Sequence, residues 1–527
     1  MSAHTKYILT ALLLLPIYLS GTVSVSPKGY DIKVSYPDGM GRKLYLVKNA
    51  AREIISIDSA VVNKKGEAIF KSKTTGLCGE YLITNGKQRL FSLLFSHPVN
   101  IKEEISVEGD YLTHKGSNEN SIFIRYQNLV KSGWREMDTA NQMATQMNLL
   151  IDEAGTLDSG GVLSYYFAIS FPLAVKDVEQ VIIDILSDPR ILNTSFVKIL
   201  INDFLNDQQG NDFEKIIDDI ESFLSLCGND EIEAFIAYSI FEHYYNSEIM
   251  GSENICVYIA SNYFLNEKLQ LFDETSLALI RIYVEYNKHS LIGMRAPDVI
   301  LYDTLLNPVS FTKINSDYKV VYFFDDQCST CKEETPKLLE FISSFESEKN
   351  IAFYLVYTGD DRIRIRNYIR QLESFKVKAG SRNTICYLWD PFSASDFGKL
   401  YSVLTTPQMF LIDGENAIVG RNLSTASISE LLKSYIERSK GVHALFDAYF
   451  MEYLTDPDNI EQESIYRMID VLYNEAKSDK TLLSEVFKEL YIYLNKSEIY
   501  EFQLGAVYLK KTYFDTLFPY ICTEKNT

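Results

Sequence analysis

Hydrophobic positions recur every second residue over the first part of the chain and every third or fourth from about residue 116, and this change of period divides the sequence. Between Tyr30 and Gly109, runs such as "YDIKVSY", "RKLYLV", "EAIFKS", "EYLITN" and "IKEEISVEG" alternate apolar with polar residues and are separated by "PDGMG", "NKKGE" and "NGKQ". Alternation with turn punctuation predicts a small antiparallel β-sandwich or barrel over 27–115. At "GSNENSIFIRYQNLVKS" helical spacing takes over and continues to about His289, predicting an all-helical domain over 116–290. Phe213 to Leu226 illustrates it, with Ile216, Ile217, Ile220, Phe223 and Leu224 on one face.

From 291 to 440 strands and helices alternate. "YKVVYFF" and "IAFYLVYT" have the continuous apolar character of buried strands, "EETPKLLEFISSFES" and "DRIRIRNYIRQL" are amphipathic helices, and "TICYLWD", "TTPQMFLID" and "AIVGRNL" are further strands before a closing helix at "SISELLKSYIERS". The order β-α-β-α-β-β-α specifies a mixed sheet with helices on both faces. Tyrosines and leucines at helical spacing after Gly441 predict an appended helical domain over 441–527. The expected class is thus multidomain α+β.

The whole chain has 527 residues, enough for roughly three or four domains. With 46% hydrophobic residues and no low-complexity stretch, nearly all of it has the apolar surface to fold. Its 71 acidic against 51 basic residues give a formal charge of -20, and no basic run stands out against that acidity, so nucleic acid is excluded as an expected partner. At the N-terminus, His4 and Lys6 precede "YILTALLLLPIYLSG", followed by small residues to Ser26. This predicts a secretory signal peptide over 1–26, with an uncleaved anchor as the alternative. No cysteine follows the apolar stretch to support a lipid anchor. An exported protein experiences conditions in which disulfides form.

Of seven cysteines, Cys78, Cys227, Cys256, Cys386 and Cys522 are scattered singly and fit buried small hydrophobes. Cys328 and Cys331, in "FFDDQCSTCKEETPKL", are three apart, after a buried strand and at the start of a helix. Free N–H groups and the helix dipole at that position favour the thiolate of the first cysteine, which is the nucleophile of thiol–disulfide exchange. The second, one turn on and more enclosed, can resolve a mixed disulfide. Pro336 falls inside the helical pattern, where it is expected to kink it. Pro407 opens the fourth strand after Thr406, and a cis bond there would set backbone beside the cysteine pair for an extended substrate chain.

These segments resemble the TlpA/ResA-like branch of the thioredoxin superfamily. "APDVILYDTLLNPVSF" is similar to that branch's opening segment, "VVYFFDDQCSTCKEETPKL" to its active-site strand and helix, and "LTTPQMFLIDGENAIVGRNL" to its cis-proline hairpin, covering about 293–440. The resemblance implies that Cys328 attacks, Cys331 resolves, Glu334 assists proton transfer, and Thr406 and Pro407 face the substrate. It also implies cysteine-containing envelope proteins as partners, a membrane thiol reductant as electron source, and the Gram-negative periplasm as location. The region before it is similar to the small β-domain and helical domain of unknown function that precede such domains. Tyr322 departs from the pattern, standing where thioredoxin proper has a buried aspartate, as do Gln327 for tryptophan and Ser329-Thr330 for Gly-Pro.

Other readings compete. A zinc site would need a second Cys or His pair at suitable spacing, and none is present; no metal or cofactor is expected. A structural disulfide between Cys328 and Cys331 would close too small a loop to stabilise much. A peroxidase of this fold would want a threonine close before its cysteine and a poised arginine, which "DDQCSTC" lacks. The rival of a different class is a non-catalytic envelope binding or scaffold protein carrying a vestigial thioredoxin fold. The expected function is a thiol–disulfide oxidoreductase of the cell envelope.

Overall fold

The computed structural model describes residues 29–514 except 74–75, 99, 137–139, 175–176, 209–211, 272, 360, 373–382, 457–459 and 479. The expected signal peptide at 1–26 and Cys522 lie outside the described residues. Among those described, no helix is long and apolar enough to cross a membrane. The protein is a mixed α and β structure with several sheets and many helices. It packs as two compact units, one from residues within 1–208 and 222–236, the other from residues within 209–221 and 237–527.

In the first unit the alternating segments form β1 (Tyr30–Ser35), β2 (Lys43–Asn49), β3 (Ile54–Val61), β4 (Glu67–Ser72), β5 (Gly79–Thr84), β6 (Arg89–Phe95), β7 (Ile101–Glu108) and β8 (Tyr111–Lys115). They make two four-stranded sheets, ordered β4-β1-β7-β8 and β3-β2-β5-β6. Ile32, Phe70 and Ile105 of one sheet and Leu46, Ile83 and Leu93 of the other share a core. The wholly antiparallel arrangement expected from the sequence is corrected at one pair: β1 runs parallel to β7, with Tyr30 opposite Ile101. Alternation fixes which face is buried and is silent about strand direction.

Helix α1 (Asn118–Glu136) closes both sheets. The Asn120 amide exchanges two hydrogen bonds of 2.9 Å with the backbone of Leu94 on β6. Gln127 does the same with Ser92, and Asn128 with Leu112 on β8. Side-chain amides thus satisfy edge groups that a further strand would otherwise pair. This packing attaches the start of the helical block to the β-sheets, and the helices of the segment 116–290, expected to form a helical domain, are divided between the two units. Its helices α2 (Ala140–Leu157), α3 (Val162–Ser170), α4 (Val178–Ser187) and α5 (Phe196–Asp207) belong to the first unit, whereas α8 (Ser252–Ile259) and α9 (Glu274–Asn287) belong to the second; α6 (Phe213–Ser225) and α7 (Asp230–Tyr245) span the dividing positions.

The second unit contains β9 (Ile300–Tyr302), β10 (Pro308–Ser310), β11 (Tyr318–Phe324), α10 (Ser329–Ser344), β12 (Ile351–Tyr357), α11 (Arg362–Leu372), β13 (Thr384–Trp389), α12 (Phe397–Leu400), β14 (Gln408–Asp413), β15 (Ile418–Gly420) and α13 (Thr425–Tyr449). The seven strands form one mixed sheet ordered β10-β9-β13-β12-β11-β14-β15, with β11, β12 and β13 parallel and β14 antiparallel to β11. Every residue of β11 and β12 is buried, because both faces are covered. Tyr322 and Phe324 face a core with Leu338 of α10, Ile365 of α11 and Leu432 of α13, whereas Val321 and Phe323 face Phe311, Tyr354 and Tyr401.

The sequence sets the start of the C-terminal helical domain between residues 440 and 441. Helix α13 runs unbroken through it, since Gly441 alone, in open space, costs only about 1 kcal/mol in a helix interior and nothing nearby stops the chain. Phe446 and Phe450 thereby lead into a core shared with α15 (Gln462–Ala476), α16 (Lys480–Lys496) and α17 (Tyr500–Leu509), after the short α14 (Met451–Thr455).

Arg421, just after β15, is the largest fully buried side chain, at 2% exposure. It donates to the Ser290 carbonyl at 2.9 Å and to Asn287 Oδ1 at 2.7 Å, and its Nε lies 3.4 Å from the Glu253 carboxylate. Removing one partner of a buried pair strands the other charge. Arg421→Met is therefore expected to lower the unfolding free energy by about 3–5 kcal/mol in guanidinium titrations. Adding Glu253→Gln should recover part of that loss; a double variant no more stable than the single would argue against the pair.

Candidate redox site

Strand β11 ends at Phe324, and four residues later the chain turns into α10 with Cys328 as its N-cap. A cap position leaves the first helical N–H groups without intrahelical partners. Here the Cys328 sulfur takes one of them, accepting from the Cys331 N–H at 3.1 Å. Cys328 is half-buried and Cys331 fully buried, and both are free thiols. Pro336, as expected, lies inside the helix, where it cannot donate to the Lys332 carbonyl.

Opposite the cysteines stands the loop before β14, with the Thr406-Pro407 bond cis. The Cys328 thiol donates to the Thr406 carbonyl, 3.1 Å away. The structure therefore brings together Cys328, Cys331, Thr406 and Pro407 at one edge of the sheet. Gln327, in the position of the usual tryptophan, is held by its N–H donating to Asp325 Oδ1 at 2.6 Å.

The two sulfurs are driven apart in acidity. Burial on its own would raise the Cys328 thiol, but hydrogen bonds to the sulfur from Cys331, from the Thr406 side chain and from the Thr330 N–H outweigh it and hold the pKa below that of an ordinary cysteine. Burial first, then competition with Cys328 for the shared hydrogen bond, pushes Cys331 up to about 11. Burial likewise raises Cys78 and Cys386, and takes Cys227 and Cys256 to about 12. Among the described cysteines Cys328 alone is shifted towards the thiolate; of the scattered ones Cys256 is buried as expected, whereas Cys78, Cys227 and Cys386 are only partly buried.

Glu334 is placed differently from the other site residues. Its carboxylate accepts from Lys337 at 2.9 Å and from the Thr425 N–H at 3.1 Å, capping α13. The lysine first, and the helix N–H with it, hold this carboxyl below the usual glutamate range despite opposing burial. Tyr322, in the place of the buried aspartate, shares a 3.0 Å hydrogen bond with the Thr335 hydroxyl one turn beyond Cys331. Burial raises its phenol far above the ordinary tyrosine value, so it supplies no base beneath the cysteines.

A cavity of about 560 Å³ opens at the other end of β11, lined by Asp317, Tyr318, Lys349, Asp413, Ser439 and Glu489 among others. No cysteine lines it, and disulfide exchange requires a sulfur. Among the described residues no three His, Cys, Asp or Glu side chains are grouped to hold a metal ion. Two features of this edge went unread in the sequence: the Tyr357 hydroxyl, donating to Asp326 Oδ1 at 2.7 Å, and the arginines of α11. The second was legible in "DRIRIRNYIRQL".

No curated protein matches the chain. Among solved structures, it is similar to the thioredoxin domain of a thiol-disulfide oxidoreductase from Bacteroides vulgatus, at 23% identity over 28% of this chain and 97% of that one, with a TM-score of 0.24. It is also similar to a thiol:disulfide interchange protein from a Bacteroides species, at 21% identity over 28% and 92%, TM-score 0.24. A thioredoxin-like protein from Bacteroides caccae matches at 15% identity over 57% of this chain and 95% of its own, TM-score 0.31. Residues 291–433, which carry both close cysteines and the cis bond, match the family model described as Redoxin, and this part of the chain has a thioredoxin-like fold.

Proposed function

We propose that the protein is a thiol–disulfide oxidoreductase of TlpA/ResA type that acts on cysteine-containing proteins of a Gram-negative cell envelope. The observation that carries the chemistry is the opposite displacement of two neighbouring thiols, Cys328 down and Cys331 up, across one 3.1 Å hydrogen bond at a helix start. The location rests on the signal-like N-terminal sequence.

In the reducing direction the Cys328 thiolate attacks one sulfur of a substrate disulfide. A mixed disulfide forms, and one substrate thiolate leaves and takes a proton from solvent. Cys331 then loses its proton and attacks the Cys328 sulfur, forming the Cys328–Cys331 disulfide and releasing the second substrate thiolate. Two electrons pass from the pair to the substrate, and a thiol reductant of the membrane restores the dithiol. Enclosure of Cys331 keeps it out of the first step, and its high proton affinity makes it a strong nucleophile once deprotonated. The backbone around Thr406 and Pro407 would align the substrate chain. Glu334, three residues after Cys331 and already ionised, would take up the proton that Cys331 gives up in the second step.

Alkylation of the reduced protein by iodoacetamide should modify Cys328 first, with a midpoint below that of free cysteine, shifting up to the ordinary value in denaturant. Since the folded pKa is the lower one, ionised Cys328 stabilises the reduced fold above the unfolded cysteine pKa, and this contribution fades as pH falls through the folded value. Cys331 has the opposite sign: its folded pKa is the higher, so reduced-state stability falls as pH rises past the unfolded value towards about 11. Cys328→Ser should abolish disulfide reduction, whereas Cys331→Ser should accumulate a mixed disulfide detectable by mass; reduction persisting in Cys328→Ser would remove the assignment.

Glu334→Gln is expected to slow resolution of that mixed disulfide and alter its pH profile. It should also cost about 0.5–2 kcal/mol of stability through the weakened cap on α13. Unaltered resolution with lowered stability would leave the residue a capping role alone.

A further inference from the structure

Helix α11 runs against the charge of the rest of the chain. Its sequence, RIRIRNYIRQL, holds four arginines in a protein of net charge -20. The expectation that no basic run interrupts the acidity is therefore corrected here. Ile365 and Ile369 are buried in the core under the sheet, which turns Arg364, Arg366 and Arg370 outward, and all three are exposed. Arg366 and Arg370 are four apart, and a like-charged pair at that spacing destabilises an isolated helix by about 0.2–0.5 kcal/mol. Among the described residues the ion pair these three make is Arg364 with Asp361 at 3.7 Å, an exposed pair of little worth. The fold thus maintains a cationic face that its own folding does not require.

The position of that face gives it a use. Strands β11 and β12 are parallel and in register, Phe324 beside Tyr357, so α11 and the cysteine helix start from the same edge of the sheet. Tyr368 of α11 packs on the same core as Cys328, its ring 5.7 Å from Phe324. Arg364, one turn before Tyr368, is near enough to Tyr357 for its charge to act on a hydroxyl bonded to Asp326, two residues before Cys328. Asp325 and Asp326 precede Cys328 in the chain, so the cationic complement for an acidic segment is offered by α11, at the side of the site.

We propose that the exposed face of α11, formed by Arg364, Arg366 and Arg370, docks an acidic stretch of the protein substrate whose disulfide is presented to Cys328. The proposal rests on the exchange chemistry assigned above and names the class of substrate. From Arg364 to Arg370 the helix advances about 9 Å, the reach of about three extended residues, which suits a short acidic segment. An anionic membrane suits the face less, because a bilayer lying on it would crowd the neighbouring sulfur.

The test uses the reduced full chain and three synthetic disulfide-bearing peptides of equal length, flanked by aspartates, serines or lysines. Initial reduction rates are measured against dithiothreitol turnover for the wild type and for Arg366→Glu/Arg370→Glu. The acidic peptide should be reduced about tenfold faster than the basic one at low ionic strength, with the ratio shrinking above about 0.15 M salt. In the double variant the ratio should fall to one or invert; being a ratio within one protein, it is insensitive to a general loss of activity. Equal rates for acidic and basic peptides in the wild type, or a preference unaltered in the variant, would overturn the docking surface while reduction of the serine peptide kept the exchange chemistry intact. Failure to reduce any peptide would overturn both. Arginine-dependent binding to phosphatidylglycerol vesicles without a peptide preference would overturn it in favour of a membrane.

Discussion

One hydrogen bond organises the candidate site: the N–H of Cys331 directed at the sulfur of Cys328 across 3.1 Å. A helix must leave its first N–H groups unpaired, and something has to accept them. When the acceptor is a thiol, the helix start stabilises the anion, and the residue whose N–H is donated is by geometry also the one whose side chain lies a turn further in. The same bond therefore supplies the accessible nucleophile and encloses its partner. Everything else at this edge supports that placement. Buried β11 delivers the chain to the turn, the Leu338 and Ile342 face anchors α10, and the loop at Thr406 closes the other side.

What could be read from the sequence follows from how local each signal is. The CxxC pair, the buried strands before and after it and the Thr406-Pro407 step are contiguous patterns, and the structure puts these residues at one edge. The parallel pairing of β1 with β7 joins segments some 70 residues apart, and no period within either strand encodes it. The amides of Asn120, Gln127 and Asn128 resembled ordinary polar positions of an amphipathic helix, yet they are buried against sheet edges. Glu334 could be placed one turn after Cys331, but its attachment to Thr425 lies 91 residues away and depends on how α13 packs on α10. At Gly441 one helix carries on while its packing partner changes, from the sheet core at Ile436 to the helical core at Phe446, and the local pattern shows the second without the first.

Replacing the buried aspartate of thioredoxin with Tyr322 changes how the second step must be managed. A carboxylate in that place could take the proton of the resolving thiol directly. Tyr322 is instead satisfied by Thr335 and is raised beyond any basic role, and Glu334 is turned towards Lys337 and the helix cap. Burial and competition with Cys328 meanwhile hold the proton on Cys331. In the proposed exchange such a pair would attack readily through Cys328 and resolve slowly, and a slow second step would lengthen the life of the mixed disulfide.

A long-lived mixed disulfide makes substrate discrimination matter more, and discrimination of this kind comes from charge placed beside the sulfur and not on it. Charges at the cysteines would alter the thiolate of every exchange, whereas α11 lies a helix away, with two core isoleucines fixing which side faces out. In a chain of net charge -20, general electrostatics repels acidic partners at long range. A local cationic face then acts only after close approach, within the roughly 8–10 Å over which exposed charges are felt at physiological salt. On the proposed docking, long-range repulsion with short-range attraction would admit an acidic segment only when it is already aligned with the site, which is the condition under which the Cys328 sulfur is useful to it.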